Sequence, residues 1–269
     1  MNRKIFEKNR KAWNEASIYH QKARNRSLQE GFKNPDFTTF TWEGDNILIE
    51  KLKEINLKNK VVGQLPCNNG RELLSLMNLG AKKGIGFDIS DVAILEANEL
   101  KAISNLNVEF YRTNILEIDN TFNNSIDFIY ISEGSLQWFS SLVDYFSIVS
   151  KLLKQNGKIL IYEMHPFAYY FEQLDSENKE ISLDDFISYF EKGPYSYENG
   201  LDYVGQTSYK GKECYWYMHK FSDIINALIQ NHMKIEKIEE LNTEIANNEK
   251  IKNLEKFPLS YILTCKKDK

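Results

Sequence analysis

The stretch VVGQLPCNNGRELL, residues 61–74, reads as a buried strand, a tight turn and the opening of a helix. A strand that enters a helix through such a turn is where open α/β sheets hold nucleotide-like ligands. A dinucleotide needs GxGxxG there, because the backbone must approach the diphosphate closely. This turn has a single glycine, Gly70, and carries Pro66, Cys67, Asn68 and Asn69 where the others would stand. It does not suit a ligand held by its diphosphate.

Outward from that stretch, apolar strand-like runs alternate with helical patterns, the sign of parallel βαβ units. The runs are KVVGQL (60–65), KKGIGFD (82–88), NVEFYRT (107–113), IDFIYIS (126–132) and GKILIYE (157–163). Helices are expected from Arg71 to Leu79, stopped by Gly80, from Asp91 to Ile103 behind Ser90 as N-cap, and from Val143 to Leu153. Val143, Phe146, Val149 and Leu153 share one helical face, the face expected to pack on the sheet. A helix near Phe221–Gln230 and strands near Met233–Glu239 and Leu259–Cys265 would complete the sheet. Four parts follow: an N-terminal helical cap (1–56) broken near Asn34-Pro35, a cofactor-binding core (57–165), an aromatic-rich insertion over the sheet (166–218), and closing elements (219–269). Period-two aromatic pairs at 195/197 and 215/217 predict short antiparallel strands inside the insertion.

Ligands of such sheets bind beyond the carboxyl ends of the strands, so the residues that follow each strand are the candidates. Asp88 closes GIGFDIS 18 residues after Gly70, where a carboxylate can accept from both ribose hydroxyls. A nucleoside joined to an amino-acid tail, as in S-adenosylmethionine, reconciles this acid with the phosphate-poor turn.

The order VVGQLPCNNG, GIGFDIS, EFYRTNILEI, DFIYISEGSLQWF, LLKQNGKILIYEMHP is similar to the class I S-adenosylmethionine-dependent methyltransferases, and within them to bacterial small-molecule methyltransferases. The resemblance implies a Rossmann-like doubly wound sheet of seven strands, order 3-2-1-4-5-7-6, with the last strand antiparallel. It implies Gln64, Leu65, Pro66 and Cys67 against the methionine moiety, Gly70 opening the helix, Asp88 on the ribose and Ile89 beside the adenine. Asn114 and Ile115 match the segment that reads the adenine edge, and Glu133 and Gly134 line the channel for methyl transfer.

Methyl transfer from a sulfonium is an in-line displacement in which the cofactor already carries the activated group, so the protein chiefly aligns the reactants. A base is needed only for an acceptor that must lose a proton, and histidine is the natural agent at neutral pH. His165 after the fifth strand, His219 behind the aromatic run and Glu163 are the candidates, and for each the commoner reading of such a residue is structural. His20 and His232 read as surface residues, and Cys67 as a packing residue. Tyr19, Trp42, Trp138, Tyr195 and Trp216 are candidate substrate walls, aromatic faces that would also suit a cation. The acceptor atom, N, O or C, stays open, as does a small-molecule or peptide-like acceptor. The alternatives are a non-catalytic nucleoside-binding or partner-binding protein of the same fold and an NAD oxidoreductase.

Composition bounds the rest. With 269 residues, 42% apolar, the chain can bury a sizeable core. A net charge of -4 makes nucleic acid a poor expected partner. The start MNRKIFEKNRKAW has no following apolar run, so neither a signal peptide nor a membrane span is expected, and a cytoplasmic location is. Three scattered cysteines, Cys67, Cys214 and Cys265, lack metal-ligand spacing, and no metal is expected. Four of the six arginines fall in the first 26 residues. The set reads either as a solvated basic helix or as a means for Arg24 or Arg26 to reach a carboxylate in the site.

Overall fold

In the computed structural model, which describes residues 3–42, 45–169, 188–243, 245 and 256–268, the core is a seven-stranded sheet. Its strands are β1 (Val61–Gln64), β2 (Lys83–Asp88), β3 (Val108–Arg112), β4 (Ile126–Ile131), β5 (Leu153–Met164), β8 (Met233–Leu241) and β9 (Ser260–Lys267). The order is β3-β2-β1-β4-β5-β9-β8, with β9 antiparallel to both neighbours. Counted within the sheet alone, this is the expected 3-2-1-4-5-7-6. Strands β6 (Tyr195–Tyr197) and β7 (Cys214–Trp216) form a separate antiparallel hairpin in which Tyr195 faces Trp216, as the period-two aromatics predict.

Both faces of the sheet are covered, which is why its strands read as unbroken apolar runs. Along β4, Ile129 and Ile131 join one core while Phe128 and Tyr130 join the other, and along β5 Ile159 and Ile161 oppose Leu160 and Tyr162. Helices α7 (Leu142–Leu152) and α8 (Phe221–Gln230) cover the first face. The second is covered by α2 (Ser27–Gly31), α3 (Thr39–Trp42), α4 (Asn46–Ile55) and α5 (Arg71–Asn78). Helix α6 (Asp91–Ser104) starts at Ser90, whose hydroxyl accepts from the Ala93 N–H at 3.1 Å as an N-cap should.

Two local expectations give way. The fifth strand begins at Leu153, four residues early, because Leu153 pairs with Ile126 before the Asn156-Gly157 irregularity. Val143 is exposed, since α7 starts at Leu142 and turns Leu142, Tyr145, Phe146, Val149 and Leu152 inward.

The N-terminal helix α1 (Arg3–Arg24) is held to the hairpin rather than free in solvent. The buried Asn9 amide donates to the Tyr215 carbonyl at 2.8 Å and its oxygen accepts from the Tyr215 N–H at 2.7 Å, as a further strand would. Lys8 pairs with Glu213, and Glu15 accepts from the Lys212 N–H. The stripe Asn9, Ala12, Ala16, Ser17 and His20 is buried, and its small residues permit this close approach. His20 is therefore interior, not a surface residue: its Nε2 lies 2.9 Å from the Leu201 carbonyl oxygen and desolvation pushes its pKa down to about 4. No helix among the described residues is long and apolar enough to cross a membrane.

Candidate functional site

Beyond the carboxyl ends of β1, β2 and β4 lies a cavity of about 1470 Å³, roofed by α1 and the segment around the hairpin. Its floor is the turn that follows β1. Gly70 has φ +74°, and a Cβ there would sit 2.4 Å from the Phe110 ring, so glycine is required for the chain to turn into α5. Pro66, Cys67, Asn68 and Asn69 then face the cavity. Cys67 is buried, and desolvation pushes its thiol well above the ordinary range, which fits packing and not nucleophilic chemistry.

Asp88 stands on the cavity wall at the end of β2. One carboxylate oxygen accepts from the Asn68 N–H and the other from the Ser90 N–H, each at 2.8 Å. These bonds aim the group and tie it to the β1 turn, and each oxygen keeps a lone pair for a further donor. Burial outweighs both bonds and raises its pKa to about 6, so it is mostly ionised at neutral pH. Ile89, Asn114, Ile115, Glu133 and Gly134 line the same cavity, as do Trp138 and Trp216. The Asn114 side chain accepts from the Leu116 N–H at 3.1 Å, which leaves its amide hydrogens for another acceptor.

Other candidates lie elsewhere. Gln64 is buried behind the turn, with its amide donating to Glu72 and to Ser132, and Leu65 is core, its carbonyl accepting from the Tyr145 hydroxyl. Glu163 is 3% exposed and off the cavity wall. It accepts from the N–H groups of Gly134 (2.6 Å), Met164 (3.0 Å), Ser135 (3.1 Å) and Leu136 (3.4 Å), so it clamps the loop after β4 from behind. Burial pushes its pKa up to about 7. His165 is off the wall too, its Nδ1 accepting from the Phe167 N–H and its Nε2 3.1 Å from Glu240, with burial lowering its pKa. His219 sits with Nε2 2.9 Å from the Phe139 carbonyl oxygen, desolvated down to about 4. Tyr19 stacks on Tyr209 and Tyr195 packs against Trp216, both behind the lining. The side chain of Trp42 and residues 170–187 of the insertion lie outside the described residues.

Several lining residues carry no motif. Trp13 packs edge-on against Trp138 with centroids 5.2 Å apart, and Tyr203 accepts from the Asn68 amide while packing on His20. Arg24 lines the cavity, and its Nη1 is buried without a hydrogen-bond partner among the described residues, whereas Arg26 is exposed. Phe40, Asp45, Tyr130 and Tyr162 form the far wall. A signal for the roof did exist: residues 9, 12, 13, 16 and 20 recur at helical spacing on one face of α1.

Comparison with known proteins agrees with this fold. Residues 56–222 match the family described as "Methyltransferase domain". A candidate S-adenosylmethionine-dependent methyltransferase of Listeria monocytogenes has the same fold at TM-score 0.63 and 19% identity, over 82% of this chain and 97% of that one. The geranyl diphosphate C-methyltransferase of Streptomyces coelicolor A3(2), solved with Mg²⁺, geranyl diphosphate and S-adenosyl-L-homocysteine, superposes at TM-score 0.52 and 13% identity over 83% of this chain and 79% of its own. The tRNA U34 carboxymethyltransferase of Campylobacter fetus subsp. fetus is 26% identical over 107 residues, 40% of this chain and 37% of that protein. The matches span about a third of the length of the curated relatives. With the family matching residues 56–222, more than half of the chain, and the strand order of that fold in place, the chain belongs to the class I S-adenosylmethionine-dependent methyltransferases.

Proposed function

We propose that this chain transfers the methyl group of S-adenosylmethionine to a small acceptor held in the same cavity. The observation that carries it is Asp88, ionised, aimed by two backbone donors and set beside a turn without a diphosphate cradle. Its carboxylate would accept from the ribose hydroxyls, Asn114 and the Ile115 backbone would meet the adenine, and Pro66 and Cys67 would pack on the methionyl chain. The unpaired Nη1 of Arg24 is suited to the cofactor's carboxylate, the sharper of the two expectations for the N-terminal arginines.

The cofactor supplies an electrophilic methyl group. The residues of this chain fix the donor's orientation, exclude water and hold the acceptor in line. Trp13, Trp138, Tyr203 and Trp216 close the roof, which keeps solvent from competing with the acceptor. Glu163 does its work at one remove, holding Gly134 and Ser135 where they border the channel. His165 and His219 serve as turn and packing residues in this arrangement, so alignment and not base catalysis supplies the rate. The test is transfer of label from S-adenosyl-L-[methyl-³H]methionine to an acceptor panel. Arg24→Ala should raise KM for the cofactor about tenfold, and an unaltered KM would remove Arg24 from the site.

A further inference from the structure

The cavity is too large for the cofactor alone and its two ends differ in chemistry. Single-ligand sites run to about 300–1,000 Å³, against about 1470 Å³ here. The end over β1 and β2 has the Asp88 carboxylate and Arg24 described above. The other end lies over β4 and β5, on the side covered by α3 and α4, and is lined by Phe40, Asp45, Glu72, Tyr130, Glu133 and Tyr162.

That second end is acidic and aromatic. Tyr130 pairs in register with Gln64, whose amide donates to Glu72, and the Asp45 carboxylate is hydrogen-bonded to Tyr162, so Asp45, Glu72, Tyr130 and Tyr162 line this end together with Glu133. Burial and the charge of Glu72 raise the carboxyl pKa of Asp45. Phe40 packs edge-on against Tyr130 with centroids 5.9 Å apart, which holds that ring against the wall. Among the described lining residues the basic side chains are Arg24 and Arg71. Arg71 lies 3.8 Å from Glu72, and Arg24 lies at the cofactor end, acting on Glu96 and His20. An anionic acceptor would therefore bury its charge against like charge, while a cation meets carboxylates and ring faces together.

We infer that the methyl acceptor is an amine, bound as its ammonium ion among Asp45, Glu72 and Glu133 and against the rings of Tyr130 and Tyr162; the inference rests on the methyl-transfer reading above. The bound ammonium gives one proton to solvent through the cavity mouth. The freed lone pair forms the N–C bond as the S–C bond breaks with its electron pair going to sulfur. The products are a methylated ammonium and S-adenosylhomocysteine.

The test uses arylethylamines and alkyl diamines, each beside its N-acetyl and its carboxylate counterpart, with binding read on the whole chain saturated with S-adenosylhomocysteine and transfer read separately on the whole chain given methyl-labelled S-adenosylmethionine. Calorimetry should show the amines binding at least about tenfold more tightly than either counterpart, and labelled methyl should pass to the amine nitrogen. Asp45→Asn keeps the N-cap of α4, and it should weaken amine binding about fivefold to tenfold while leaving the affinity for S-adenosylhomocysteine within about twofold. Glu72→Gln should weaken the amine likewise. Amines that bind no better than their counterparts, or Asp45→Asn binding them as tightly as the wild type, would overturn the acceptor assignment alone. Failure to bind S-adenosylhomocysteine at all would overturn the methyl-transfer reading and this inference with it.

Discussion

Replacing Glu163 by Gln separates its structural work from its charge. In the wild type each carboxylate oxygen takes two backbone N–H groups, Gly134 and Met164 on one and Ser135 and Leu136 on the other. An amide keeps one oxygen and turns an NH₂ toward the other pair of donors, where the carboxyl, ionised or protonated, presents an oxygen that can still accept, so two bonds are lost in a buried site, which costs about 2 kcal/mol. The charge acts in the opposite sense. Burial raises the carboxyl pKa from its ordinary 4.5 to about 7, a difference worth about 3 kcal/mol. Because the folded value is the higher one, that stability is complete below pH 4.5 and is lost as pH rises through 7. The glutamine variant cannot titrate there. Urea unfolding followed by tryptophan fluorescence between pH 5 and 8 should find Glu163→Gln about 2 kcal/mol less stable at pH 5, with the gap closing by pH 8. The other buried carboxyls among the described residues, Asp88, Glu96 and Asp202, are present in both proteins and cancel in the difference. A gap that widens with pH, or that does not depend on pH, would refute the account of the clamp.

The remaining expectations are more local. Gly70→Ala should cost about 3 kcal/mol, or roughly 6–10 °C in Tm by calorimetry, because the methyl group meets the Phe110 ring in a left-handed backbone. Asn9→Ala removes both bonds to the Tyr215 backbone. Limited proteolysis should then cut between residues 195 and 216 several times faster, while the sheet core keeps its protection from hydrogen exchange. Cofactor affinity should fall about tenfold between pH 7.5 and pH 5, since ribose hydroxyls donate to ionised Asp88 and that carboxyl protonates near 6. An affinity flat over that range would count against the ribose contact.

The sheet was legible because covered strands are apolar on both faces and stop at recognisable turns: Phe128 and Ile129 face opposite cores, yet both read as buried. Asp88 and the Pro66–Asn69 turn were legible for the same reason, since a residue that ends a parallel strand has its position set by the strand. Side chains whose placement depends on packing between distant segments were not. His20 is interior only because Leu201 and Tyr203 fold onto α1. Glu163 ends a strand at the ligand side, but its side chain turns back to the loop after β4 to meet four N–H donors, which no spacing in the sequence records. Asp45, Tyr130 and Tyr162 meet across three elements separated by up to 117 positions, so the acidic end of the cavity emerges only in three dimensions.

Titration calorimetry of S-adenosylhomocysteine against the wild-type chain and Asp88→Ala at pH 7.5 bears most directly on the claim that this acid grips a phosphate-free nucleoside. One ligand should bind per chain, and the substitution should weaken it by about tenfold to a hundredfold, the worth of charge-assisted bonds to the two ribose hydroxyls. Equal affinity in the two proteins, or no binding to the wild type, would contradict it.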